Sequence, residues 1–357
     1  MYPIKKSIKL TLCRILFYGG FVPLYIKFLK NRLKHFPVVI INYHSFVENL
    51  DNAMETVPSV TKRIDDFKKE IEFLKRHFDV VSLDRLAETL SSRQLFNKPT
   101  VAITIDDGYR DNFDLLFPIL KKEKIPVTIF LAAGFIGTSE KIWVSHVAEL
   151  FLHTPQKNLV TSGVLGEKNY SLRSMKEKRF AYDQILQKLK DMNIDQRNHW
   201  LNFLEEQLGK YVRAEPLMLN WNQVREMVKN GVSVGAHSCT HPILTSISLE
   251  AARQEIGKSK AIIERELGIP IRHFAFPNGR PQDFSEALRQ FCKEIGFDSV
   301  STCSYGHNGT AEDLWSLKRI GSEIPISLFA INILRAFQYD EMGDTFSIDY
   351  KVSKLKF

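Results

Sequence analysis

"VAITIDD", residues 101–107, begins as a run of β-branched and small residues and closes on two adjacent carboxylates. A run of that length and composition reads as a strand buried on both faces. Asp106 and Asp107 therefore stand at its carboxyl end, ahead of Gly108 and Tyr109. Neighbouring carboxylates each make the other harder to ionise, so the pairing needs a physical reason.

Similar runs recur on both sides: "VVIINYH" (38–44), "VTIFLAA" (127–133), "VSVGAHS" (232–238), "HFAFP" (273–277) and "DSVSTC" (298–303). Amphipathic helical patterns alternate with them, at 61–78, 221–231, 248–267 and 284–296, with Gly231 a natural helix stop. Repeated strand-helix units imply an α/β fold with a parallel sheet, open or closed into a barrel. Residues 137–219 break the rhythm, being mostly helical without a convincing strand, and read as an insertion on one βα connection. Beyond residue 325 the chain reads as a tail, 326–357, with one amphipathic stretch at 328–337.

With 44% hydrophobic and 25% charged residues in 357, the chain has the composition of a folded protein and not of a disordered one. Its four cysteines, Cys13, Cys239, Cys292 and Cys303, form no CxxC pair, which argues against a thiolate metal knuckle and for a reducing compartment. Of the 49 basic residues, eight lie in residues 1–47, where no acid occurs before Glu48, and the remaining 41 balance the 41 acidic ones. The net charge of +8 is thus a property of the N-terminus, and no nucleic-acid groove is implied.

That N-terminal stretch, "LTLCRILFYGGFVPLYIKFL" at 10–29, is apolar between its charges but interrupted by Arg14, Gly19-Gly20, Pro23 and Lys27. It is a poor match to a membrane span or a cleavable leader. Residues 1–36 are expected to form a basic amphipathic segment lying on an anionic membrane face, with packing on the domain as the alternative. The expected location is cytoplasmic, peripheral at the inner membrane face.

In parallel α/β folds reactive groups gather at the carboxyl ends of strands. Asp106 and Asp107, His44, the pair His237 and His241 in "HSCTHP", and Asn278 in "FPNG" all fall at such ends. Two histidines four apart in a helical turn point the same way and suit two nitrogen ligands of one divalent ion, with a nearby carboxylate as a third. If Asp107 binds that ion, its charge is neutralised and Asp106 is free to act as a base on water. The alternative is that the two aspartates cap a helix starting near Asp111.

"TIDDGY", "HSCTHP" and "FAFPNG", in that order, resemble the leading motifs of the polysaccharide deacetylases, carbohydrate esterase family four. "YHSF" near 43 and "LKRIGSE" near 320 are similar to the first and last strands of its exopolysaccharide-associated branch. The resemblance covers about residues 37–325. It implies a distorted parallel β/α barrel of seven strands and metal-dependent removal of an acetyl group, N-acetyl before O-acetyl, from a cell-surface polysaccharide or its lipid-linked precursor. By the same resemblance Asp107, His237 and His241 bind the metal, zinc first, with cobalt, nickel or manganese as alternatives. Asp106 is then the base, and the backbone N–H of Asn278 contributes to an oxyanion hole. Two departures stand out. Ala275 occupies a position where many members carry an arginine that orients the catalytic aspartate, and no later Leu-x-His motif supplies the usual acid. His44 is the first candidate acid and His307 the second. Tyr109, Trp143 and Pro277 are candidate contacts for an N-acetylated glycan, whereas Trp221 reads as a core anchor at a helix start. The departures keep open a second reading, a barrel that binds glycan without turning it over.

Overall fold

Buried β-branched runs alternating with amphipathic helices become the staves and the outer layer of a barrel. The computed structural model describes residues 2–32, 34–50, 57, 59–211, 213–322 and 325–338. Its strands are β1 (Val38–Tyr43), β2 (Ser45–Val47), β3 (Thr61–Arg63), β4 (Asp79–Val81), β5 (Thr100–Ile105), β6 (Thr128–Leu131), β7 (Asn158–Thr161), β8 (Lys168–Ser171), β9 (Ser233–Ala236), β10 (His273–Ala275), β11 (Ser299–Ser301) and β12 (Arg319–Gly321). Helices α1 (Tyr2–Tyr18) and α2 (Phe21–Arg32) precede them, and α3 (Ile64–His77), α4 (Leu83–Ser91) and α5 (Phe117–Glu123) lie among the first barrel strands. The insertion holds α6 (Trp143–His153), α7 (Met175–Lys190) and α8 (Ile194–Leu208). The barrel resumes with α9 (Trp221–Lys229), α10 (Leu249–Leu267), α11 (Glu286–Glu294) and α12 (Ile326–Phe337).

Seven strands run in the order β11-β10-β9-β6-β5-β1-β12, all pairings parallel. A lone parallel bridge between Ser301 and Leu317 brings the two ends of this path together, so the sheet is nearly closed. The barrel is distorted at β5, where β4 pairs with the amino half of one edge and β6 with the carboxyl half.

Strand periodicity of two sorts the side chains. Val39, Ile41, Val101, Ile103 and Ile105 face the helices and join the main hydrophobic core. Val38, Ile40, Ala102, Phe130 and Ala275 belong to a separate cluster that fills the interior. A Cβ at Gly235 would lie 2.5 Å from the Phe130 ring, so a glycine there makes room for that plug. Along β1 and β5 the inward positions pass from Val38 and Ile40 to Asn42, and from Ala102 to Thr104 and Asp106. The interior thus turns polar toward the carboxyl ends, where the site lies.

Two expectations need correction. The insertion is not strand-free: β7 and β8 pair as an antiparallel hairpin, which its half-exposed, polar alternation concealed. The stretch after 325 is not simply a tail, because α12 buries Phe329, Ala330, Ile333 and Leu334 against the barrel. Residues 339–357 lie outside the described residues. The segment at 79–91, left unassigned by the sequence, forms β4 and α4, the latter capped by Ser82.

Candidate active site

The rim is built on strained backbone. Among the described residues six non-glycine residues have positive φ, and four of them are Asp107 (+79°), Ser238 (+59°), His241 (+54°) and Asn278 (+57°). Such conformations cost about 1–3 kcal/mol each and persist where the surroundings over-determine them. Gly108 follows Asp107 at φ +84°, and a Cβ there would sit 2.8 Å from Leu131.

Asp106 continues the β5 ladder, its N–H donating to the Tyr43 carbonyl at 2.9 Å. Arg319 of β12 grips its carboxylate with two bonds, Nη1 to Oδ1 at 2.7 Å and Nη2 to Oδ2 at 2.9 Å, and Asn42 Nδ2 donates to Oδ2 at 2.9 Å. Burial pushes the Asp106 carboxyl up, but the Arg319 guanidinium and the charges of His237 and His44 beside it together outweigh burial and hold the group at about 2. The arginine absent at position 275 is therefore supplied from the opposite edge of the sheet path. Register explains its reach: Arg319 pairs with Ile40 across β1 and its head extends up the barrel interior past Thr104, which it also contacts at 3.2 Å.

Asp107, His237 and His241 converge, with one ligand-type atom from each lying within 4.8 Å of the others. Asp107 Oδ1 is 3.5 Å from His237 Nε2 and 3.3 Å from His241 Nε2, and all three residues are buried. His237 Nδ1 lies 2.8 Å from the Ala275 carbonyl, which can only accept, so the proton belongs on Nδ1 and Nε2 keeps its lone pair for the cluster. Asp107 Oδ1 has no hydrogen-bond donor of its own in this buried position. One carboxylate and two imidazoles with an unsatisfied oxygen between them fit a divalent cation.

The two histidines do not meet through a helical turn, as their spacing suggested. The chain bends at Ser238 and again at His241, and the N–H groups of Cys239 and Thr240 donate to one oxygen of Glu255 on α10, at 2.9 and 2.7 Å. Thr240 Oγ1 donates to its other oxygen at 2.8 Å. Glu255 is thus a clamp on the turn, and with Arg319 it is one of the two site residues that sequence reasoning missed. A carboxylate 16 positions from its partner gave no signal. Arg319 did give one, as a cation within the closing-strand motif "LKRIGSE" and the answer to Ala275.

His44 lies on the same rim, Nε2 3.8 Å from Asp106 Oδ2, and is 23% exposed. Burial lowers its pKa, against the opposing pull of Asp107 and Asp106. Its backbone is fixed by Asn112 Nδ2 donating to its carbonyl at 2.9 Å and by Ser45 Oγ donating to Asp111 at 2.7 Å. Asn278 and Pro277 belong to the turn after β10, closed by Gly279 N–H donating to the Pro277 carbonyl at 2.7 Å. A Cβ on Gly279 would lie 2.9 Å from the Cys303 nitrogen.

Other candidates fall elsewhere. His307 is at the wrong end of the barrel: its neighbour Asn308 bridges Val38, the first residue of β1, and its Nδ1 bonds the Ala336 carbonyl at 2.8 Å. The β11-β12 connection descends the barrel before returning, which the sequence did not reveal. Tyr109 offers no face to a sugar, being fully buried with its hydroxyl 2.8 Å from Ser145 Oγ, where it ties the rim to the insertion. Trp143 opens α6 but packs on the insertion's own core, with the Arg197 guanidinium 4.6 Å from its ring. Trp221 starts α9 after the Asn220 cap and packs on the main core.

A sequence profile described as polysaccharide deacetylase matches residues 94–300, more than half of the chain. The chain belongs to the polysaccharide deacetylase family. Among named proteins, this family member is similar to the poly-beta-1,6-N-acetyl-D-glucosamine N-deacetylase of Staphylococcus epidermidis, 24% identical over 209 residues that cover 55% of this chain and 70% of that one. Its fold is that of Streptococcus pyogenes deacetylase PplD, solved in complex with acetate, at 18% identity and a TM-score of 0.55 over 85% of this chain and 99% of that one. IcaB from Ammonifex degensii is similar at 17% identity and a TM-score of 0.52, over 83% and 98% of the respective chains. The deacetylase family is one of hydrolases, and Asp106, Asp107, His237, His241 and Asn278 lie within the matched segment, whereas His44 and Arg319 lie outside it.

Proposed function

We propose that the protein is a metal-dependent deacetylase that hydrolyses the N-acetyl group of a cell-surface polysaccharide or its precursor. The observation that carries this reading is the pairing of two aspartates with opposite surroundings: Asp106 saturated by Arg319 and Asn42, Asp107 facing two imidazoles with an unpaired oxygen. Asp107, His237 and His241 would hold one divalent ion, zinc foremost. Bound there, such an ion polarises the acetyl carbonyl and lowers the pKa of water to about 7 in favourable sites.

The chain's own groups do the rest. Arg319 keeps Asp106 ionised and its carboxylate plane fixed, so that it accepts a proton from the attacking water without reorienting. The leaving amine needs a proton in return. His44 is placed to deliver it, since its Nε2 stands 3.8 Å from the Asp106 oxygen that would first take the proton up. We assign an oxyanion role to the backbone N–H of Asn278, in the turn at positive φ that follows β10. Two departures kept a non-catalytic barrel open, the arginine missing at 275 and the absent Leu-x-His acid; Arg319 answers the first, and His44 is our candidate for the second.

The substrate class rests on the family and on the relative whose name specifies β-1,6-linked N-acetylglucosamine. Acetate release from N-acetylated β-1,6-glucosamine oligomers, abolished in Asp106→Asn, would support the proposal. Wild-type protein that holds metal and releases no acetate from such oligomers or from other N-acetylated glycans would refute it.

A further inference from the structure

The two helices ahead of the barrel each have a protein side and an open side. On the protein side Cys13, Val22 and Ile26 are buried, and Phe17 packs on Phe73 of α3 with ring centroids 5.8 Å apart. Tyr25 accepts a hydrogen bond from Gln338, just past α12. On the open side stand Leu12, Ile15 and Tyr18 of α1 and Phe21, Leu24 and Phe28 of α2, exposed by 54, 62, 73, 45, 66 and 50%. Their spacing of three or four makes one apolar stripe per helix. Scattered apolar side chains are normal on a surface, but six in a continuous run on adjoining helices mark a docking face.

We propose that this face docks on an anionic lipid surface. Charge selects the occupant: Arg14, Lys27 and Lys30 are exposed on the same helices, and no acid occurs before Glu48. Anionic headgroups supply countercharge while acyl chains take up the apolar stripe. A second copy of the chain would set these cations against each other. Crossing the bilayer is a poorer fit than lying on it. Among the described residues no single helix is long and apolar enough to span, the two helices bend by 67° at their break, and the packed side would have to leave α3 and α12 to meet lipid. At Tyr25, α2 meets the barrel beside the end of α12, where Phe337 stacks on Phe78 just ahead of β4. That is the amino end of the strands, so docking leaves the opposite rim open to a glycan.

The test is co-sedimentation of the full chain with vesicles of phosphatidylcholine alone or mixed with phosphatidylglycerol, read without any substrate and therefore independent of the proposed activity. Wild type is expected to bind the mixed vesicles, and more weakly in high salt. Lys27→Gln/Lys30→Gln should weaken that binding about tenfold or more, at roughly one kcal/mol per cation. Leu24→Ser/Phe28→Ser should weaken it too, and so should Ile15→Ser/Leu24→Ser with a melting curve close to wild type, those two side chains being 62 and 66% exposed. Equal binding of wild type and variants, or no binding by wild type, would overturn the proposal. So would a wild-type dimer that Leu24→Ser/Phe28→Ser converts to monomer, which would assign the face to a second copy.

Discussion

The two ends of the barrel carry the same kinds of residue and use them differently. At the amino end His273 Nδ1 lies 2.9 Å from Ser299 Oγ and its Nε2 3.3 Å from Asp84, a Ser-His-Asp arrangement on paper. Yet Ser299 is fully buried, and each nitrogen of the ring has its partner, so the group ties α4 to β10 and β11. At the carboxyl end Asp107 Oδ1 and His241 Nδ1 are buried without a hydrogen-bond partner, on backbone held at positive φ. Unsatisfied polarity on strained backbone, more than residue type, marks the end that does chemistry.

The largest expected effect comes from removing the proposed base. Asp106→Asn should lower the rate of acetate release ~10³-fold, as loss of general-base catalysis commonly does, while metal content stays at the wild-type level. Ser299→Ala at the other end should leave that rate within a factor of two, and a large drop there would erase the contrast.

Arg319 comes next. Arg319→Met leaves a buried carboxylate without its partner, which costs ~3–5 kcal/mol of stability where the charge persists. The sign of the pH effect is fixed by Asp106 titrating at about 2, below the ordinary carboxylate. The pair stabilises the fold fully above the ordinary carboxylate value of about 4, and this is lost as pH falls toward 2. In Arg319→Met the acid limb of activity should therefore move to higher pH, as a pH profile would register. An unmoved limb would mean that Arg319 does not set the state of Asp106.

Glu255 tests whether the turn matters apart from its ligands. Glu255→Ala should weaken metal affinity ~10–100-fold, the usual scale for residues that orient ligands, with restoration in part by Gln. Competition with a chromophoric chelator would measure it. The smallest effect is again at the amino end, where Ser299→Ala should cost about 1 kcal/mol in thermal unfolding, one buried hydrogen bond.

How far the sequence could be read follows from these particulars. Strands such as β1 and β5 are legible because burial on both faces leaves an uninterrupted apolar run. The hairpin β7-β8 is not, since "NLVT" and "KNYS" bury alternate residues only and mix in polar ones. Asp106, Asp107, His237 and His241 are legible as residues at strand ends. Their geometry is not, because Glu255 and two positive φ angles replace the helical turn. Arg319 lies 213 positions from Asp106 and reaches it only because β12 pairs with β1. Tyr109 and His307 failed for a related reason: exposure and barrel end are set by where the insertion and the β11-β12 connection run.

The most direct test is the metal content of purified protein after reconstitution with each candidate ion, in wild type, Ser299→Ala, Asp107→Ala and His237→Ala. The account predicts one ion per chain in the first two and none in the last two. No ion in wild type, or an ion retained in both rim variants, would contradict it.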